Sequence, residues 1–488
     1  MTSTSPNINR WRAFALLAVS YFMTIIDVTI VTVSLPTIGR ELHFSETSLQ
    51  WVVTAYAITF GGFLLLGGRA ADLLGRRRIL MLGLALFTAA SLACGFASGD
   101  AFLIGSRAVQ GLGAAIMVPA ALSIVMTMFE EGAERNKALG IWGALAAAGA
   151  TVGLIAGGLL TRYAGWEYIF FINIPIGAAA LALAPRFVPD SRIATARPRF
   201  DALGAITATG GLVLLVDAIA DAPREGWGAT RTIAVLAGSA ALLVAFAAIE
   251  SRAREPLLPL SIFRLRTLVG ANIAGLLSGG SFYAFVFLGT LYMQQVLQYS
   301  ALETGVAWLV TSLSSVALAG LSQRLVTRRG AKVVMTIGMT LIGAGVIWTS
   351  QVPVHGRFVA NLAGPMLLAG AGTAFAFIPI SIAALAGVAK HQSGLASGLL
   401  NTSRQLGGAL GIAIASSVAV GHTNALLHAG IARPSALTSG FQQALWVLGA
   451  IVLLGLPAIL ALVRDDGRAD TAATTAVREA QAAVAGTH

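Results

Sequence analysis

Residues 21–36 read YFMTIIDVTIVTVSLP. They form the centre of an apolar run over residues 12–35, long enough to cross a bilayer as one helix, since a span needs about 20 mostly apolar residues. The run holds a single carboxylate, Asp27. An ionised group in mid-membrane costs roughly 3 kcal/mol or more. Asp27 must therefore face a water-filled cavity, meet a cation or carry a proton, and a carboxyl so placed can relay protons. The other reading is a structural Asp, permanently protonated or hydrogen-bonded.

Outward from this run, similar ones follow near 48–69, 79–98, 102–127, 138–162, 168–187, 202–220 and 231–250. Six more lie near 268–296, 303–323, 332–350, 359–387, 394–420 and 441–463, which makes 14 spans in all. They are too long and too uniformly apolar for barrel strands, which alternate with period two. The first is read as a retained span, because no small-residue cleavage site follows it.

Composition agrees. Only 11% of residues are charged and 56% are hydrophobic, where a soluble domain carries about a quarter charged residues. The 55 glycines suit membrane helices, whose backbones approach closely at small residues. The net charge of +11 sits in short segments between spans, so it speaks for topology and not for nucleic acid. With the N-terminus inside, the outer segments hold only Arg40, Arg162, Arg224, Arg231, Arg357 and Arg433, against about four times as many Lys and Arg on inner ones such as Arg76–Arg78, Arg197, Arg199, Arg328 and Arg329. That bias predicts both termini in the cytoplasm.

Residues 68–77 and 320–329 share a Gly and a distal basic pair, a faint repeat that splits the chain once the seventh and eighth spans are removed. The expected architecture is all-α. It has a six-helix bundle over 1–187, two additional helices with linkers over 188–267, a second six-helix bundle over 268–463 and an unstructured cytoplasmic tail over 464–488. Chance similarity of basic inner loops is the alternative reading of the repeat.

Arg107, inside the fourth span, cannot discharge itself. It pairs with Asp27 or snorkels to the surface. Arg404 in the thirteenth span faces the cavity or reaches the inner surface. Between Gly68 and Arg78, Asp72 can meet a helix N-terminus, while Gly75, Arg76 and Arg77 form a basic turn that fixes topology or latches the inner side. Gly149, Gly153 and Gly157 line one face of the fifth span, for plain packing or for a gate. Tyr56, Tyr292, Gln294, Gln295 and Asn401 are polar or aromatic positions on apolar helices that can line a substrate cavity, with Gln110 and Arg404. The single Cys94 and the scattered histidines give no metal set. No Gly-Lys dipeptide is present, so no ATP-binding loop exists, and no loop is long enough for an enzyme domain. An ion gradient or a partner protein is then the energy source for uphill transport, and no cofactor is expected.

These residues resemble the 14-helix drug:proton antiporter branch of the major facilitator superfamily. The resemblance rests on Asp27-Val-Thr-Ile-Val to Pro36, on Gly68–Arg78, on Arg107-x-x-Gln110-Gly111, on the run from Trp166 through Asn173 to Gly177, on Pro256–Arg264 and on Gly394–Gln405. It implies proton-driven export of a lipophilic drug, antibiotic or secondary metabolite. It also implies proton coupling at Asp27 and Arg107, and gating at Asp72 and Arg76. A bacterial cytoplasmic membrane is the expected location, and a monomer the default state. The chain departs from the pattern at Leu154, where Pro is usual, and at Leu73, where a basic residue is usual. It also lacks a further acid in the later spans, apart from Glu303 at a margin. A metabolite or nutrient transporter of the same fold, or a non-transporting receptor or scaffold, are the competing readings.

Overall fold

A computed structural model describes residues 10–129, 133–189, 202–253, 260–388 and 393–464. Among these residues there are helices and no strand. The long ones are α1 (Arg10–Glu41), α2 (Trp51–Leu74), α3 (Arg76–Gly95), α4 (Asp100–Met128), α5 (Ala133–Tyr163) and α6, the last broken into Tyr168–Phe171 and Asn173–Phe187. Then come α7 (Ala202–Glu225), α8 (Thr230–Arg252), α9 (Arg266–Leu291, continued by a π turn Tyr292–Val296), α10 (Ala301–Arg329) and α11 (Ala331–Thr349). The last are α12 (Gly364–Leu385), α13 (Ser393–His428) and α14 (Arg433–Leu454, continued by Leu456–Leu462). Thirteen helices among the described residues are long and apolar enough to cross a membrane. The remaining long helix, α5, opens with Glu134, Arg135 and Lys137 and packs between α1 and α10. Arg197, Arg199 and the expected tail beyond Arg464 lie outside the described residues.

The helices fall into two groups with the same internal contacts. In the first, α1 packs on α5, α2 on α4, α3 on α4 and α3 on α6; in the second, α9 packs on α13, α10 on α12, α11 on α12 and α11 on α14. The extra pair stands aside: α8 packs on α7, and α7 on α2 and α13. Large apolar side chains such as Leu82, Phe96, Val244 and Val359 point outward, which water would not tolerate in such numbers and lipid does.

The halves meet through α1, α2 and α5 on one side and α9, α10 and α13 on the other, while among the described residues α4 and α12 pack extensively only within their own half. One apolar cluster runs from Ile30, Val33 and Leu35 across to Leu288, Leu291 and Trp308. A second, around Phe14, Leu84, Phe87 and Val125, stays within the first half. The halves are thus joined by a large apolar cluster toward the end of α1, while further in α2 and α13 stay in contact at Gly61 and Leu65.

Helix boundaries follow local chemistry. Ser300 and Glu303 form a capping box at α10, the Ser300 backbone N–H donating to Glu303 Oε2 at 2.8 Å. Gly75 turns the chain from α2 to α3 with φ 106°, and Gly330 turns it from α10 to α11 with φ 88°. Counting from these two turns shifts the repeat read in the sequence by three residues, so that Arg69 and Arg324 correspond. A side chain at such φ is strained by about 1–3 kcal/mol. Gly75→Ala is therefore expected to lower the thermal unfolding midpoint in detergent, while Gly99→Ala, in extended backbone with open space around it, should not.

Candidate functional site

Five helices of the first half converge on Asp27. It is fully buried, as are Arg107, Gln110, Ser91 and Asn173. Arg107 lies seven residues, about 10 Å, inside α4, too deep and too enclosed to snorkel. Its Nη1 donates to Asp27 Oδ2 at 2.5 Å and to Gln110 Oε1 at 2.5 Å. Its Nε donates to the Val52 carbonyl at 2.9 Å. Tyr56 lays its ring 4.4 Å from the guanidinium carbon and Phe170 lies at 5.8 Å. Each face of the cation is thus covered by an acceptor or a π system.

The carboxylate is equally enclosed. Its Oδ1 accepts from Gln110 Nε2 at 2.8 Å and from Asn173 Nδ2 at 3.0 Å. Gln110 and Asn173 both also reach Ser91 Oγ, at 2.7 and 3.4 Å. The Cys94 thiol donates to Gln110 Oε1 at 3.8 Å. Asn173 reaches the cluster because α6 breaks at Ile172 and restarts with it, two residues before Pro175. Glycines allow the close approach: a Cβ on Gly111 would strike Tyr56 O and Thr59, and one on Gly113 would come within 2.6 Å of the Phe87 backbone.

Sequence reasoning singles out Asp27 and Arg107 as a pair but places Gln110 and Tyr56 in a substrate cavity; the structure instead closes both around the pair, fully buried. It does not single out Asn173, Ser91 or the Val52 carbonyl as partners of Asp27 and Arg107. Asn173→Ala removes a donor from a buried carboxylate, worth about 1.5–3 kcal/mol. A matching fall in thermal stability is expected, with Asn401→Ala, at an exposed position, as a near-neutral comparison.

The other candidates lie elsewhere. Tyr292 donates to the Pro353 carbonyl at 2.5 Å and Gln294 to the Val33 carbonyl at 2.8 Å, a bond that crosses between the halves. Gln295 lines a crevice of about 190 Å³ at the joined end, with Arg40 and Arg433. Arg404 donates through Nη2 to the Phe377 carbonyl and to Ser381 Oγ on α12. Gly149, Gly153 and Gly157 face Ile25, Ile26 and Ile30 of α1, the helix of Asp27, while the adjacent Gly158 faces Leu302 of α10. Gly68 makes only ordinary contact with Pro119. Arg77 donates to the carbonyls of Pro185 and Val188 at the end of α6, where a helix C-terminus favours a cation. Arg76 opens α3. Asp72 is on α2, but its side chain lies outside the described part of the structure.

The Major Facilitator Superfamily pattern matches residues 17–412. The chain is 38% identical to the puromycin resistance protein of Streptomyces alboniger, over 96% of this chain and 94% of that one. It is 37% identical to the cephamycin export protein of Amycolatopsis lactamdurans, over 85% of this chain and 86% of that one. In fold it is similar to the POT family transporter PepTSo, with a TM-score of 0.66 at 14% identity over 92% of this chain and 98% of that one.

Proposed function

The chain belongs to the Major Facilitator Superfamily and is a multi-pass membrane transporter, and we propose that it exports a lipophilic antibiotic or related metabolite in exchange for protons. Export is supported by the relatives, one named for puromycin resistance and one for cephamycin export. Proton exchange rests on one observation: the buried Asp27–Arg107 pair. The bacterial relatives support a place in the cytoplasmic membrane, and the charge bias of the loops supports both termini inside. The protein works as a monomer and uses the proton gradient without a cofactor.

A proton arriving at Asp27 removes the charge that balances Arg107. The guanidinium stays charged and keeps the Val52 carbonyl, Gln110 Oε1 and the Tyr56 ring. The tie between α1 and α4 is then weakened. Because α1 is packed on α5 through Gly149, Gly153 and Gly157, and α5 on α10, a shift of α1 reaches the seam between the halves. Uncoupling one partner of a buried pair is worth about 3–5 kcal/mol. Moving a two-state equilibrium from 1:99 to 99:1 takes about 5.5 kcal/mol. A pair intact in one arrangement and broken in the other biases the two by the difference in its energy between them, with substrate favouring the opposite arrangement. At the inner face the segment Gly68–Arg77 acts as a latch, Arg77 holding the start of α3 to the end of α6.

The test is efflux of the neutral lipophilic dye Nile red from cells expressing wild type or Asp27→Asn, with and without a protonophore. Wild-type efflux should collapse with the protonophore, and Asp27→Asn should be present in the membrane but inactive. Efflux by Asp27→Asn equal to wild type would show Asp27 to be structural.

A further inference from the structure

The second half holds a cation of its own, Arg404, and no charged group among the described residues balances it. Arg404 lies on α13, whose backbone is seated closely on α9: a Cβ on Gly279 would come within 2.6 Å of the Arg404 carbonyl. Its Nη2 is taken by the Phe377 carbonyl at 2.9 Å and Ser381 Oγ at 3.0 Å, and its guanidinium carbon stands 4.9 Å from the Phe377 ring centre. Nε is buried with no acceptor, and Nη1 makes no hydrogen bond among the described residues. Among the described residues no carboxylate lies against it. The ionisable groups within electrostatic reach are Tyr283 of α9 and Tyr21 of α1.

Tyr21 belongs to the opposite half, so Arg404 fronts the seam between the halves. Tyr283 donates to Gln405 Oε1 at 3.3 Å. Tyr21 is held flat against Trp142, with ring centres 4.3 Å apart. Arg404, Tyr283 and Tyr21 are all partly exposed. The contrast with Arg107 is chemical. That guanidinium has Asp27 on one side and carbonyl acceptors around it, and is closed off. Arg404 has an aromatic wall, two neutral acceptors and spare donors. An uncompensated charge within a span marks a substrate or ion pathway, and a guanidinium with free N–H groups recognises anionic oxygens through charge-assisted hydrogen bonds.

We propose that Arg404 anchors an anionic oxygen, a carboxylate above all, of a lipophilic substrate bound at the seam, with Tyr283, Tyr21 and Phe377 as the aromatic wall against its apolar body. The inference rests on the export reading only in taking the bound molecule to be cargo. Asp27 and Arg107 then handle the proton, and Arg404 selects acid-bearing compounds over neutral or cationic ones.

The experiment measures equilibrium binding of 1-pyrenebutyric acid and of its methyl ester to the purified full chain in detergent. The pair differs by one negative charge. Wild type should bind the acid about tenfold or more tightly than the ester. In Arg404→Gln, which removes the charge and leaves a shorter neutral amide, the acid should fall to the level of the ester while the ester is unchanged. Arg404→Lys, which keeps the charge, should restore part of the preference. Equal binding of acid and ester by wild type, no binding of the acid, or an acid preference that survives Arg404→Gln overturns the proposal. Binding needs no gradient, so the two readings fail separately. Discrimination by Arg404 without efflux of either Nile red or 1-pyrenebutyric acid overturns export and leaves the site. Proton-driven efflux with equal binding of the two probes overturns the site and leaves export.

Discussion

Arg107→Met is expected to lower the stability of the folded protein by about 3–5 kcal/mol at neutral pH, because it leaves Asp27 buried without its cation. The two partners of this pair are not equivalent. A carboxylate stripped of its cation can take up a proton and become neutral, whereas a guanidinium stripped of its anion cannot lose one. The deficit of Arg107→Met should therefore shrink as the pH falls, since protonated Asp27 needs no counter-ion. The deficit of Asp27→Asn should not shrink. The double variant Asp27→Asn/Arg107→Met removes both charges, and replacing a whole buried pair is often close to neutral. It should be more stable than Arg107→Met and still fail to transport. Thermal unfolding of the three variants across pH, with dye efflux alongside, separates the structural from the coupling role of the pair. A double variant as unstable as the sum of the two singles would remove the ionic explanation.

Gly153→Leu should abolish transport even where the protein still folds. A Cβ at Gly153 would strike Thr29 Oγ1 and lie 2.9 Å from the Ile26 carbonyl. The obstacle is partly backbone, so it cannot swing aside. Overpacking of this kind costs about 1–3 kcal/mol, and it displaces α5 from α1, two residues from Asp27 in one direction and against α10 in the other. Gly210→Ala, where the nearest atom to a new Cβ is the flexible end of Leu242 at 3.3 Å, is the comparison expected to keep activity. Size-exclusion profiles and efflux rates of the two variants decide the matter. Full transport by Gly153→Leu would detach the α1–α5 contact from the coupling.

The apolar runs announce the helices because a span needs an unbroken hydrophobic stretch, and that requirement is written locally. The ends are less legible. The run at 12–35 continues as helix to Glu41, past Pro36, and the run at 394–420 continues to His428, since helices outlast the hydrophobic layer. Asp27 and Arg107 stand out because each is a charge where charge is costly. Asn173 does not, because an uncharged polar residue is unremarkable in a span and its partner lies 146 residues away. It is positioned by a helix break that no run of hydropathy records. Tyr292 and Gln294 look like cavity residues on a regular helix. The chain widens into a π turn at Tyr292–Val296, which changes the rotation per residue, and both side chains bond to carbonyls instead. The uncompensated state of Arg404 depends on which residues the fold brings near it, and the linear order of residues does not reveal that.

The coupling at Asp27 is tested most directly in proteoliposomes holding purified protein, a trapped pH indicator and Nile red, under an imposed pH gradient. Wild type should move dye uphill and carry protons the other way in proportion, and Asp27→Asn should do neither although it is folded. Uphill dye movement and proton flux by Asp27→Asn at the wild-type rate would contradict the account.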